Sequence, residues 1–324
     1  MSKAKVWIAE PIPCTDVAVK KLSPYAEVEV SPVFYEKVPP QKLRGCHAVI
    51  VADSFLPEES LVDADEIRIA QKFGVGVNTI DIDECTKRGI YVCNIPGINS
   101  LDVAEYAVGA MVSSLRGFMM LDSAARRAAW AARPSLVGER LSGKTVGIVG
   151  FGKIGREVAR LLGPFKAKLL AHDPYVDPKD ALEKGVEIVS LRDLLKESDI
   201  VTIHVPLSDE TRDLIGEEEF RQMKRSSTLI NTSRGPVVNE AALHMALSQR
   251  LIRYAVIDVW DKEPIDPDNE ILGLENAQLS LHQASWTREF FEAGMGFCAE
   301  NVIRVLKGEE PLNAVNGPFD VGKA

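Results

Sequence analysis

The sequence predicts an α/β protein made of two doubly wound parallel-sheet domains, and three observations carry that prediction. Short aliphatic and β-branched runs alternate with helical periodicities along the chain, the pattern of a parallel sheet covered by helices. One strand–turn–helix–strand unit, Thr145 to Asp173, holds a glycine-rich turn where the strand gives way to the helix. A length of 324 residues, 46% hydrophobic and 26% charged, suffices for two ordinary domains.

From the N-terminus, strands are expected at Val6 to Ala9, Ala26 to Val30, Ala48 to Val51, Ile67 to Ala70 and Tyr91 to Val92. The segment Gly74-Val-Gly-Val-Asn-Thr-Ile-Asp81 follows one of them directly. It reads either as a flexible loop into a helix near Asp83 or as an anion nest, whose backbone N–H groups converge on a carboxylate. Pro96-Gly97 then breaks the rhythm, and Asn99 or Ser100 can cap a helix running from Leu101 toward Leu121. Val103, Ala104, Ala107, Val108, Met111 and Val112 cover more than one stripe of that helix, so it should be buried between domains or subunits. The Ala-rich, Arg-containing piece that continues to Trp130 reads as an arm touching a partner chain.

In the central unit, Val146, Ile148 and Val149 make a short buried strand, and Val158, Leu161, Leu162 and Phe165 share one helix face. Gly150 can supply the tight turn, Gly152 can let the backbone approach a pyrophosphate, and Gly155 can let helix and strand pack closely. The pyrophosphate would rest on the helix N-terminus, where unpaired N–H groups and the dipole favour an anion. Asp173 falls 18 positions past the last glycine, at the end of the next strand. It can accept from the ribose hydroxyls and would repel a 2′-phosphate, so NAD is expected in preference to NADP.

Beyond the unit, strands are expected at Ile188 to Val189, Ile200 to Val205, Thr228 to Asn231, Tyr254 to Val259 and Gln278 to Leu281. Helices fit at Leu191 to Glu197, Glu217 to Met223 and Asn239 to Arg250. A last helix carries Phe291, Met295, Cys298, Val302 and Leu306 on one side and stops at Gly308. Three strand ends collect polar residues: Asn231-Thr-Ser-Arg-Gly-Pro236, Asp258-Val-Trp-Asp-Lys-Glu-Pro264 and His282-Gln-Ala-Ser-Trp286. In a doubly wound sheet the carboxyl ends of strands line the ligand crevice.

Composition narrows the function classes. A formal charge of −9, with no basic tract interleaved with aromatics, argues against nucleic acid. The N-terminus reaches Glu10 after a brief apolar run and no stretch approaches a membrane span, so a cytoplasmic protein without signal or anchor is expected. Cys14, Cys46, Cys85, Cys93 and Cys298 are odd in number and scattered, which suits reduced thiols rather than a disulfide or zinc framework, and no metal is expected.

With these residues in view, the chain resembles the D-isomer-specific 2-hydroxyacid dehydrogenase family over nearly its full length. The match covers residues 74 to 81, 147 to 173, His204-Val-Pro206, Asn231-Thr-Ser-Arg-Gly235, Asp258 to Pro264 and His282. The resemblance implies a substrate domain of residues 1–97 and 286–324, with an NAD-binding domain, residues 98–285, inserted between them. It implies a catalytic trio of Arg234, Glu263 and His282, with Asp258 near the nicotinamide carboxamide. The remaining coenzyme contacts are expected from Gly150, Gly152, Lys153, Ile154, Gly155, Asp173, His204, Pro206, Thr211, Thr232 and His282. Substrate contacts are expected from Val75, Gly76, Arg234, Ser54 and Trp286. The resemblance also points to a homodimer. Departures are Leu281 where the family usually has Pro, Gln283 and Trp286 after the histidine, and Asn78-Thr79 in place of an Asp-Asn pair.

The implied chemistry needs these residue types. Hydride transfer at C2 of a hydroxy acid requires a base within reach of the oxygen, and histidine titrates near neutrality. A carboxylate beside it favours the protonated imidazole. A guanidinium fork suits the substrate carboxylate. The plainer alternatives are a surface ion pair for Arg234, turn chemistry before Pro264 for Glu263 and a packed strand-end residue for His282. His47 and His244 read as structural, and His172 as a neighbour of the ribose site.

The expected function is therefore an NAD-dependent dehydrogenase or reductase of a small D-2-hydroxy or 2-oxo acid. The alternative is an NAD(H)-sensing, corepressor-like protein on the same fold. The loop Val51-Ala52-Asp53-Ser54-Phe55 places an acid where family members that act on a phosphorylated substrate have basic residues. With a chain ending at Ala324, this points to glyoxylate, hydroxypyruvate or a related acid rather than 3-phosphoglycerate.

Overall fold

The structure, a computed structural model, describes residues 3–319. It separates into two compact units: the chain up to Asn99 together with the chain from Trp286 onward, and Ser100–Ser285.

The first unit contains β1 (Ala4–Ile8), α1 (Thr15–Leu22), β2 (Ala26–Val30), β3 (Ala48–Val51), β4 (Ile69–Lys72), α2 (Ile82–Lys87), β5 (Tyr91–Cys93) and the C-terminal helix, Arg288–Leu306. Its sheet has the order β2-β1-β3-β4-β5, with every neighbouring pair parallel. The all-apolar run of β3 follows from burial on both faces. One face packs Ile8, Ile50 and Ile69 against Leu22 of α1 and against Met295, Cys298, Val302 and Leu306 of the C-terminal helix. The other packs Trp7, Val49 and Val51 against Leu43, Leu56, Leu61 and Cys85. The C-terminal helix is capped by Thr287, whose hydroxyl accepts the Phe290 N–H at 3.0 Å, and it gives out at Gly308, where φ is 77°.

The second unit begins with α3 (Ser100–Arg116) and α4 (Phe118–Arg126). There follow β6 (Thr145–Val149), α5 (Lys153–Leu162), β7 (Lys168–His172), α6 (Pro178–Leu182), β8 (Val186–Ile188), α7 (Leu191–Glu197) and β9 (Ile200–Ile203). The unit closes with α8 (Glu217–Gln222), β10 (Thr228–Asn231), α9 (Glu240–Ser248), β11 (Tyr254–Ile257) and β12 (Ala277–Leu279). The seven strands lie in the order β12-β11-β10-β9-β6-β7-β8, again parallel throughout. The chain winds outward on one side of β6 through β7 and β8, then returns to its other side with β9. The carboxyl ends of β6 and β9 therefore flank the point where the winding reverses, the ligand crevice of such sheets.

Several elements are offset at their ends by one or two residues, β8 and β12 among them, and two differ for an identifiable reason. The fourth strand runs from Ile69 to Lys72 rather than from Ile67 to Ala70, because the polar Gln71 and Lys72 are buried with partners. The helix expected from Leu101 toward Leu121 breaks at Gly117, whose φ of 64° is left-handed, and α4 restarts from there. Phe118, Met119, Met120 and Leu121 are exposed beyond the break, and Trp130 is 80% exposed.

Among the described residues no helix is long and apolar enough to cross a membrane, and no group of three or more His, Cys, Asp or Glu could hold a metal ion. All five cysteines are free thiols.

Candidate active site

Two of the three fingerprint glycines are required by different steric constraints. Gly150 ends β6 with a φ of 91°, and a β-carbon there would lie 2.7 Å from the His204 carbonyl at the end of β9. A β-carbon on Gly155 would overlap the Gly150 carbonyl, so only glycine lets α5 pack so closely on the turn. Gly152, by contrast, faces open space. The first turn of α5, which begins at Lys153, opens at that space. Asp173 stands beside it, its two carboxylate oxygens accepting the Phe151 N–H at 2.8 Å and the Tyr175 N–H at 2.9 Å.

On the other side of the winding reversal, His204 shares Nε2 with the Thr202 hydroxyl at 2.9 Å. Its Nδ1 is shut away without a partner among the described residues, and burial pushes the imidazole pKa down to about 3. The Thr232 hydroxyl, after β10, is likewise buried and unpartnered among the described residues. Pro206 is exposed, and Thr211 braces its loop by donating to the Pro206 carbonyl at 2.6 Å and accepting the Ser208 N–H at 2.8 Å.

The loops after β10, β11 and β12 carry the polar trio. Asn231 builds the first: its carbonyl oxygen accepts from the Ser233 N–H at 3.1 Å and the Ser233 hydroxyl at 2.8 Å, and its amide donates to the Arg234 carbonyl at 3.0 Å. This closed turn explains why an asparagine begins the segment. The Arg234 guanidinium donates to the Ser233 carbonyl at 2.6 Å; burial lowers its pKa, against an opposing pull from Glu263.

His282 Nδ1 lies 2.8 Å from Glu263 Oε2, and Glu263 Oε1 accepts the Trp260 N–H at 3.0 Å. Burial alone would raise the Glu263 pKa, but the hydrogen bond and charge of His282, the Trp260 N–H and Arg234 together hold it below the usual carboxylate range. Asp258, fully buried, turns its carboxylate to the histidine loop, where it accepts the N–H groups of Gln283 at 2.8 Å and Ala284 at 2.9 Å.

The first unit holds Val75, Gly76, Ser54 and Trp286. Gly74 has a φ of 151°, and Val75 is exposed on the loop it opens. Ser54 is fully buried, its hydroxyl enclosed without a partner among the described residues. The Trp286 ring packs edge-on against Phe291 with centroids 5.2 Å apart.

Two buried charges here escaped sequence reasoning. Glu10, after β1, accepts the N–H groups of Ala52 at 2.7 Å and of Asp53 and Ser54 at 3.0 Å, so a carboxylate of the chain itself fills the winding reversal of this sheet. The Lys72 ammonium folds beneath Gly74 and donates to the Ala52 carbonyl and, at 2.9 Å, to the Thr79 hydroxyl. A charged residue placed immediately after or at the end of a buried strand was the only available signal.

Residues 108–284 match the family description "D-isomer specific 2-hydroxyacid dehydrogenase, NAD binding domain". The chain is also 37% identical to a glyoxylate reductase of Korarchaeum cryptofilum, over 97% of this chain and 96% of that one. This chain belongs to the D-isomer specific 2-hydroxyacid dehydrogenase family. Among other members, it is 36% identical to a D-3-phosphoglycerate dehydrogenase of Archaeoglobus fulgidus, over 97% of this chain but 59% of that one. The crystal structure of D-lactate dehydrogenase from Aquifex aeolicus, complexed with NAD and lactic acid, superposes with a TM-score of 0.84 at 27% identity, over 99% of this chain and 100% of that one.

This dehydrogenase is thus an NAD-dependent oxidoreductase of 2-hydroxy and 2-oxo acids, and the sensing alternative is not favoured. The observed residues fit the coenzyme. The turn is open at Gly152, and two enclosed polar atoms, His204 Nδ1 and Thr232 Oγ1, lie at neighbouring strand ends without partners among the described residues.

Proposed function

We propose that this dehydrogenase reduces a small, non-phosphorylated 2-oxo acid of the glyoxylate or hydroxypyruvate type, with Arg234, Glu263 and His282 as its catalytic residues. The observation that carries this reading is the 2.8 Å hydrogen bond between His282 and Glu263, coupled electrostatically to the guanidinium of Arg234. Bound NADH supplies the hydride. Arg234 offers its planar fork to the substrate carboxylate and a positive charge to the carbonyl oxygen as it becomes negative. With Nδ1 engaged by Glu263, Nε2 of His282 is the nitrogen left to give that oxygen its proton, and in the oxidative direction the same nitrogen takes the hydroxyl proton back. Glu263 orients the ring and stabilises the imidazolium.

The N–H groups of Val75 and Gly76 are assigned to the second carboxylate oxygen, with Ser54 and Trp286 toward the substrate tail. For NAD, Gly150, Gly152, Lys153, Ile154 and Gly155 are assigned to the pyrophosphate, and Asp173 to the ribose. His204, Pro206 and Thr211 are assigned to the adenine side, and Thr232 and Asp258 to the nicotinamide side. In this reading residues 1–97 and 286–324 form the substrate domain, and residues 98–285 the coenzyme domain.

The choice of a substrate without phosphate is supported by the exposed Asp53 and by relatives named glyoxylate reductase. A like-charge pair ~4 Å apart costs about 4 kcal/mol at an effective dielectric of ~20. The nearby Lys72 ammonium is already engaged by Ala52 and Thr79. The exposed side chains of Phe118 to Leu121 and Trp130 support a homodimer joined through the segment from Leu101 to Trp130. Cytoplasmic residence accords with the free thiols.

NADH oxidation with glyoxylate, hydroxypyruvate and phosphohydroxypyruvate tests the substrate. The first two should be consumed faster, and a clear preference for the third would overturn the assignment.

A further inference from the structure

The backbone of His282 has a φ of 56°, a left-handed conformation uncommon outside glycine. The contacts around it converge on Asp258. Its carbonyl accepts the His282 N–H at 2.7 Å, and its carboxylate takes the next two N–H groups, of Gln283 and Ala284. The same carboxylate lies 2.6 Å from the Ser280 hydroxyl. Ser280 donates its single hydroxyl proton to that carboxylate. The Ser280 oxygen also lies 2.6 Å from the Tyr106 hydroxyl of α3, and with the serine proton committed, Tyr106 is the donor there. The chain of hydrogen bonds therefore runs one way, from Tyr106 to Ser280 to the Asp258 carboxylate, and hydrogen bonds in series toward a charge strengthen one another. Trp260 joins the same corner, its indole N–H on the Ser280 carbonyl at 2.9 Å and its backbone N–H on Glu263.

We propose that Tyr106 and Ser280 are positioning residues for His282. Tyr106 fixes the direction of the serine proton, Ser280 fixes the Asp258 carboxylate, and that carboxylate holds the backbone of residues 282–284 so that the imidazole keeps its aim. The inference rests on the reading of His282 as the proton donor.

The test compares Tyr106→Phe, Ser280→Ala, Ser280→Thr and His282→Gln in the full-length enzyme. Three quantities are measured: single-turnover reduction of glyoxylate or hydroxypyruvate by NADH, the NADH Kd, and the downfield N–H proton resonance of the His282–Glu263 bond, assigned by its loss in His282→Gln. The resonance needs no substrate. Ser280→Ala should slow the hydride step about 10- to 100-fold, the scale of a small misplacement of a catalytic group, with the NADH Kd little changed. Tyr106→Phe should slow it about 5-fold, as for one neutral hydrogen bond. Ser280→Thr keeps the hydroxyl and should restore both rate and resonance, whereas the alanine and phenylalanine variants should broaden the resonance into solvent exchange. A wild-type rate and a sharp resonance in Ser280→Ala and Tyr106→Phe would overturn the proposal. Equal impairment in Ser280→Thr and Ser280→Ala would also overturn it, by showing that bulk rather than the hydroxyl matters. Wild-type turnover by His282→Gln would instead remove the reading of His282, a separate outcome.

Discussion

Gly235 lies against the peptide of Trp260 with no room for a side chain: a β-carbon there would overlap the Trp260 carbonyl and the Asp261 nitrogen. Arg234 immediately precedes the one residue, and Glu263 follows three positions after the other. This backbone contact sets the spacing between guanidinium and carboxylate. Gly235→Ala should destabilise the fold by about 1–3 kcal/mol through overpacking. It should also lower kcat/KM about 100-fold, because the two loops must part. Thermal melting and steady-state kinetics on one preparation check both, and normal kinetics would show that the spacing is not set here.

Arg234→Ala should weaken substrate use far more than coenzyme binding, while His282→Ala should act mainly on the hydride step. Losing a buried charge-assisted carboxylate contact costs on the order of 2–4 kcal/mol, roughly 30- to 1000-fold in kcat/KM. NADH titration beside kinetics separates the effects. Near-normal kinetics in Arg234→Ala would mean that the carboxylate is held elsewhere.

NADH should bind much better than NADPH, because the Asp173 carboxylate, fixed by the N–H groups of Phe151 and Tyr175, would meet a 2′-phosphate with like charge. Asp173→Asn should narrow the gap. Fluorescence titration with both coenzymes decides it, and equal affinities in the unmodified protein would contradict the assignment.

His204 makes stability fall in mild acid. Burial holds its pKa near 3 in the folded chain against an ordinary 6.5, so between these values the unfolded chain binds more protons. The stabilisation is complete above the ordinary value and is lost as the pH falls toward the folded one. Urea midpoints measured near neutrality and near pH ~4 should drop less in His204→Asn than in the parent protein. An unchanged drop would show that other groups govern acid sensitivity.

The dimer proposal predicts that light scattering at micromolar concentration reports twice the chain mass. Met119→Asp combined with Trp130→Asp should shift it toward the monomer, since both side chains are exposed on the described surface. A monomeric parent protein would end the proposal.

The sequence was most legible where burial and composition agree. The strands Ala26–Val30, Ala48–Val51 and Thr228–Asn231 and the helix Leu191–Glu197, capped by Ser190, lie where their patterns put them. The fourth strand was displaced because hydropathy scores Gln71 as surface. Its side chain instead accepts from Asn301, 230 positions away, at 2.8 Å. The helix break was missed because apolar periodicity continues across Gly117 while the backbone does not. Gly150 and Gly155 of the fingerprint could be read because each answers a local steric demand. Tyr106 with Ser280, 174 positions apart, and Glu10 with the loop at Ala52 could not, since neither partner signals the other in the chain.

The first unit is assembled from two stretches separated by the whole of the second, and this imposes an order on its birth. A ribosome adding roughly 5–20 residues per second delivers the five strands of the first sheet, then all of Ser100–Ser285, and only afterwards the helix bearing Met295, Cys298 and Val302. For on the order of ten seconds or more, the face carrying Ile8, Ile50 and Ile69 awaits its covering helix while the later-made unit has everything it needs to close. A nascent chain stalled before Arg288 therefore exposes a finished domain tethered to an open apolar sheet, the kind of surface that chaperones hold and proteases find.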